Sequence, residues 1–121
     1  TMANPNIVAV TSIIADLAID ADVAASAHSL LTCASDKLIK INSLIIANID
    51  GTNSATISVW ITRDSVDYYL LKTVAVPADS TLVALDKSMG LYLKEADVLK
   101  IQASAAGDLS AVCAHEIIDD A

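Results

Sequence analysis

The chain has no phenylalanine, three glycines, two prolines and two cysteines, and its aromatic residues are one tryptophan and three tyrosines. These shortages exclude chemistry. Three glycines cannot make a glycine-rich phosphate cradle, and no Gly-x-Ser-x-Gly nucleophile elbow occurs. So few aromatics cannot line the sugar cleft that a pair of glycosidase carboxylates would need. Basic residues are also scarce, 7 Lys and Arg against 15 Asp and Glu, for a net charge of −8. They are scattered from Lys37 to Lys100. No concentrated basic patch is offered to nucleic acid, and nothing draws the chain to an anionic membrane. Such an acidic balance suits solubility or a basic protein partner.

Long hydrophobic runs are missing too. After the opening residues the longest uncharged stretch is Val23 to Ser35, VAASAHSLLTCAS, too short and too polar to cross a bilayer. No basic residue precedes Lys37, so a positively charged signal-peptide start is lacking and a reducing compartment is expected. Thr1 ahead of Met2 reads as a remnant, with Met2 the expected native start. Cys33 and Cys113 are far apart and outside any Cys-x-x-Cys pair. They read as small buried thiols in strands, bridged only if those strands are neighbours.

What is present is aliphatic. Hydrophobic residues make up 55% of the 121 positions, much of that alanine. Surface scaling gives roughly 6,000 Å² folded against about 18,000 Å² extended, enough burial for one core without staples. One domain is expected: an extended arm over residues 1–10, then a sandwich over 11–121. A core of Ile, Leu, Val and Ala suits a thin β-sandwich. The apolar surplus points to surface buried against a partner.

The opening MANPNIVAV reads as an extended arm leading into a strand. Over residues 12–33 two readings compete. Ile13, Ile14, Leu17 and Ala21 stand at helical spacing, yet the same residues form two strands with Asp20-Ala-Asp22 as the turn. From Lys37 onward strands recur about every ten residues. In KLIKINSLIIANI, Ile39, Ile41, Ile45, Ala47 and Ile49 share one parity while Leu38, Leu44 and Ile46 take the other. A strand apolar on both faces is covered on both sides or carries a bulge. Asp50-Gly51 signals a hairpin turn to SATISVWITRD. There Ala55, Ile57, Val59 and Ile61 face one way, and Trp60 sits among Thr and Ser on the other. DYYLLKTVAVP, STLVALD, LYLKEADVLKIQASA (two short strands split at Glu95-Ala-Asp97) and LSAVCAHEII follow. Asp64-Ser65, the Asp86–Gly90 loop and Ala106-Gly107-Asp108, a second hairpin turn, lie between them. The pattern predicts an all-β, antiparallel, jelly-roll-like sandwich.

Candidate chemistry is thin. His28 and Cys33 share one strand, His115 and Cys113 another. Were those strands neighbours, the four could ligate zinc or pair as nucleophile and base. Nothing nearby lowers a thiol pKa, so ordinary strand residues are expected and neither metal nor cofactor is assigned. Asp50, Gly51 and Asn53 lack the remaining ligands of a calcium loop. The acidic pairs Asp20 and Asp22, Glu95 and Asp97, and Asp119 and Asp120 fall in turns or at the terminus, where solvated acids belong. The residues best suited to anchoring a partner are Trp60, Arg63, Tyr68, Tyr69 and Tyr92, with Asn4, Pro5, Asn6, Ile7 and Val8 of the arm. No enzymatic activity is expected.

KINSLIIANIDGTNSATISVWI, from Lys40 to Ile61, and the stretch from Val74 to Ile118 resemble small virion structural proteins of tailed phages, especially marine and cyanobacterial ones. The start MANPNIVAVTSI is similar as well. The shared features are the Asn-Ile-Asp-Gly turn, the Val-Pro-Ala segment before a strand, the Asp-x-Leu step in ADVLKI and the closing AVC…EI strand. Residues 15–34 match least well. The resemblance implies a β-sandwich subunit of a phage particle, located in the virion and made in the host cytoplasm. A head decoration or cement protein is the preferred role, since small acidic β-sandwiches often serve it. It would bind the major capsid protein or other virion subunits and form a homo-oligomer, with a trimer favoured. A neck, tail or fibre subunit, or a carbohydrate-binding module, is the alternative.

Overall fold

The structure, a computed structural model, describes residues 12–86 and 91–119. The arm, with Asn4, Pro5, Asn6, Ile7 and Val8, lies outside the described residues, as does most of the loop after Asp86. Among the described residues there are nine strands and no helix. They are β1 (Ser12–Asp20), β2 (His28–Thr32), β3 (Lys37–Asn48), β4 (Ala55–Arg63), β5 (Val66–Val76), β6 (Thr81–Leu85), β7 (Leu91–Leu93), β8 (Val98–Ala103) and β9 (Leu109–Asp119). The ambiguous first third is therefore two strands. Its helical spacing reflects β1 lying at a sheet edge with side chains exposed on both faces, which blurs the two-residue period.

Two antiparallel sheets stack face to face. One runs β1-β9-β3-β6, with β7 also on β3, and the other runs β2-β8-β4-β5. Since β6 and β7 pair with successive parts of β3, they share one position. The two sheets then make the eight-position double Greek key of a jelly roll. Between them lie the alternate residues of each strand: Ile39, Leu44, Ile46 and Cys113 from one sheet, Ile57, Val59, Leu99 and Ile101 from the other, all at most 2% exposed.

Two expected hairpins are not hairpins. β3 and β4 belong to different sheets, as do β8 and β9, so Asp50-Gly51 and Ala106–Asp108 carry the chain across the sandwich. The Asp50 turn forms through side chains. The Asn48 amide donates to the Asn53 and Val76 carbonyls at 3.0 and 2.9 Å, and Asp50 accepts from the Thr52 N–H at 2.8 Å. Such an Asx-turn reverses the chain without specifying which sheet it enters next. The tight hairpin is β4–β5, where Arg63 pairs with Val66 and Asp64 and Ser65 both have positive φ (53° and 64°), the geometry of a type I′ turn. The split parity of β3 has its cause in a bulge between Ile41 and Ser43. It turns Ile39 and Ile41 inward below it and Leu44 and Ile46 inward above it.

Candidate interaction surface

Three of the anchoring residues expected from sequence meet at one end of the molecule. Ile61 and Arg63 close β4, Tyr68 opens β5, and Leu91 and Tyr92 open β7. Together they line a cleft of about 390 Å³ at the open edge between the sheets. Tyr68 is 55% and Tyr92 40% exposed. The Arg63 guanidinium grips buried Asp97 through Nε (2.8 Å to Oδ1) and Nη2, and the Lys94 N–H adds a third bond to that carboxylate at 3.0 Å. Burial alone would raise the Asp97 pKa. The Arg63 bond and the Lys94 N–H outweigh it and hold the carboxyl below its usual range. An arginine fixed in this way loses little side-chain entropy when a partner docks. Its charge is answered by Asp97, so the cleft presents aromatic and aliphatic surface rather than a free cation.

Trp60 and Tyr69 sit elsewhere, on the outer face of the second sheet. Their ring centroids are 5.1 Å apart, tilted by 33°, and Lys72 Nζ lies 4.9 Å over the Tyr69 ring. Trp60 is 4% exposed, so Tyr69 is the member of the pair that presents surface. The Trp60 indole N–H is buried with no hydrogen-bond acceptor among the described residues.

The histidines and cysteines do not converge. β2 pairs with β8, while β9 lies between β1 and β3. Both cysteines are free and buried. Burial and the Asp97 carboxylate push the Cys33 thiol up to about 11, and burial pushes Cys113 up to about 11. His28 instead spans from β2 to the end of β1, with Nε2 2.7 Å from Asp20 Oδ2 and Nδ1 3.1 Å from the Ser26 carbonyl oxygen, both of which accept when the ring is protonated. Among the described residues no group of three or more His, Cys, Asp or Glu is placed to hold a metal ion.

Sequence reasoning missed an acidic end. The connections β1–β2, β3–β4, β5–β6 and β8–β9 meet there, bringing Asp22, Asp50, Asp79 and Asp108 together. Asp79 N–H binds the Asp50 carbonyl (3.2 Å) and Ile49 N–H the Asp108 carbonyl (2.7 Å), while Gly107 N–H binds Asp22 (2.6 Å). Asp50 is held below its usual pKa, chiefly by the Thr52 N–H and the Asn53 amide. Asp108 is held above its own by burial and by the Asp50 and Asp22 carboxylates. None of the seven basic residues lies in these four connections. The signal was available, because each turn that runs toward this end carries an aspartate.

No protein-family model matches the chain, and no curated protein does. Solved structures do. The chain is similar to a Bacillus endospore appendage protein from a family described as disulfide-linked pili (18% identity, 91% of this chain and 90% of that one, TM-score 0.52). It is also similar to a chain of the acid-stable capsid of Helicobacter pylori bacteriophage KHP30 (9% identity, 91% and 94%, TM-score 0.50). A third likeness is to VP2 of the infectious bursal disease virus subviral particle (10% identity, TM-score 0.52). This chain spans 32% of VP2. At these identities the likeness is one of fold: a jelly-roll sandwich shared with capsid and appendage subunits.

Proposed function

We propose that this protein is a non-enzymatic structural subunit of a phage particle, and that it decorates or cements the head by binding the major capsid protein. The observation that carries this reading is the end-to-end correspondence with a phage-capsid chain, 91% of this chain on 94% of that one. A lone jelly roll of this size thus has a counterpart in a phage shell. The surface chemistry fits the same reading. The buried Asp97 carboxylate is neutralised by Arg63, the thiols are raised to about 11, and the cleft beside Arg63 offers two exposed tyrosines, a residue type enriched at protein-binding hot spots. A ligand that binds only assembled shell subunits stabilises that assembly by linkage. The test is the copy number per particle by quantitative mass spectrometry, with location by electron microscopy. Hundreds of copies over the head are expected. About a dozen or fewer, confined to neck, tail or fibres, would replace cement with the alternative role.

One observation favours a second reading, a filament subunit: the full-length likeness to the endospore appendage protein. That family is described as disulfide-linked, whereas Cys33 is 2% and Cys113 0% exposed here. A filament of this chain would assemble without covalent links through those thiols. Fibres in negative stain of the purified protein, unaffected by reductant, would move the assignment to this reading.

A further inference from the structure

The two outer faces of the sandwich differ in kind. On the β2-β8-β4-β5 sheet the outward positions include Thr32, Thr56, Ser58, Thr62, Lys100 and Gln102 around the Trp60–Tyr69 pair, a mostly polar face. On the β1-β9-β3-β6 sheet the register places Ile19, Val112, Ile45 and Val83 side by side in one outward row across all four strands. They point outward because their chain neighbours Ala18, Cys113, Leu44 and Ala84 pack into the core. Ile19 is 66%, Val83 55% and Ile45 36% exposed. Lower on the same face Leu17 and Ile13 add apolar surface. Among the described residues the charged ones in its interior are Lys40 and Glu116, direct neighbours in register. By strand geometry the face measures about 19 Å by about 27 Å, a footprint on the order of 500 Å².

We infer that this face is covered by the same face of a second copy, stacked across a two-fold axis that runs parallel to the strands between β9 and β3. That axis maps each row onto itself reversed. Ile45 meets Val112 of the second copy, Ile19 meets its Val83, and Lys40 meets its Glu116, twice over. The pattern is self-complementary in shape and charge, as an isologous contact requires. Two such faces bury on the order of 1,000 Å², the size at which specific association begins, and sheets of branched aliphatics stack well at about 10 Å. The face is locally neutral in a molecule of net charge −8, so two copies can meet here without bringing their acidic ends together. A contact of this kind gives a two-fold dimer where the sequence reading favoured a trimer. It covers Tyr92, the neighbour of Lys40 in register on this face, and leaves Tyr68 and the acidic end free for a shell.

Sedimentation velocity of the purified full chain tests this. From low to high micromolar concentration the wild type should shift from 12.6 kDa to twice that mass. Ile19→Lys with Val83→Lys should weaken the dimer at least about tenfold, one step of 1.4 kcal/mol, with an unchanged circular dichroism spectrum because both sites are exposed in the monomer. Thr32→Lys on the opposite face should leave the dimer intact. Lys40→Glu should weaken it, and Lys40→Glu combined with Glu116→Lys should restore it. A wild type monomeric throughout, or an Ile19→Lys/Val83→Lys variant that still dimerises, overturns the inference. So does a monomeric wild type whose face variants lose particle binding, since the face would then belong to a shell partner. Dimerisation and particle attachment are read separately, so each can fail without the other.

Discussion

At the scale of single residues, the Arg63–Asp97 pair ties the aromatic cleft to the core. Asp97 is 1% exposed, and Arg63→Ala would leave its carboxylate buried with the Lys94 N–H as its main partner. Loss of one member of a fully buried pair costs about 3–5 kcal/mol. The Arg63 side chain is 38% exposed, so about 2–3 kcal/mol is expected after allowing for solvent screening, read by urea denaturation. The Asp97 pKa in the folded protein lies below its ordinary 3.8. Its contribution is therefore fully present above that value and is lost as pH falls through the depressed one. Arg63→Ala should flatten the acid limb of the stability profile, and an unchanged limb would show that the pair does not carry it. Trp60 gives the opposite kind of expectation. Its indole N–H is buried and unbonded, so Trp60→Phe removes an uncompensated polar group along with some packing. The variant should lie within about 1 kcal/mol of the wild type, while Trp60→Ala should cost about 3–5 kcal/mol. A phenylalanine variant as costly as the alanine one would mean that the N–H is satisfied in solution.

At the scale of elements, the β4–β5 hairpin holds Asp64 and Ser65 at positive φ, a conformation costing an L-residue roughly 1–2 kcal/mol. Ser65→Gly relieves that strain against glycine's greater unfolded entropy, for a net gain of about 0.5–1 kcal/mol. The melting temperature should rise by about 2–4 °C, and a fall would mean that the turn is not of this type. The open edge between β1 and β2 is clasped by His28 and Asp20. Burial pulls the histidine pKa down, but the Asp20 bond, the Ser26 carbonyl and the Asp20 charge lift it above its ordinary 6.5. A raised pKa means that the clasp contributes fully below that value and is lost as pH rises through the folded one. Stability should decline gently over that window, and His28→Ala should abolish the slope in scanning calorimetry. Strand identities were legible in the sequence because inward residues such as Ala55, Ile57, Val59 and Ile61 alternate without interruption. Pairing was not. Asp50-Gly51 reverses the chain whether the next strand joins the same sheet or the opposite one, and only the three-dimensional stacking decides. The convergence of Arg63, Tyr68 and Tyr92 was foreshadowed by residue type. The apolar outer face was half visible in the two-sided apolarity of β3: of the two readings, cover on both sides or a bulge, the strand has the bulge, and Ile45 is exposed beyond it.

At the scale of the whole molecule, charge and apolar surface are segregated. The acidic end gathers aspartates from four connections, while the stacking face carries one lysine and one glutamate near its centre. This separation makes salt a discriminating variable. Raising ionic strength from about 10 mM to about 150 mM shortens the screening length from roughly 30 Å to roughly 8 Å. A chain of net charge −8 then repels itself less, so the isolated protein should melt at a higher temperature. Stacking through a neutral apolar face should hold steady or tighten, because two like-charged copies approach more easily. Attachment of the acidic end to a basic shell surface should weaken over the same range, because that attraction is what the salt screens. Calorimetry, sedimentation and particle pull-down across one salt series read the three trends. A melting temperature that falls with salt would mean that the aspartates are compensated within the fold. Particle retention indifferent to salt would remove the acidic end from attachment and leave the aromatic cleft as the contact.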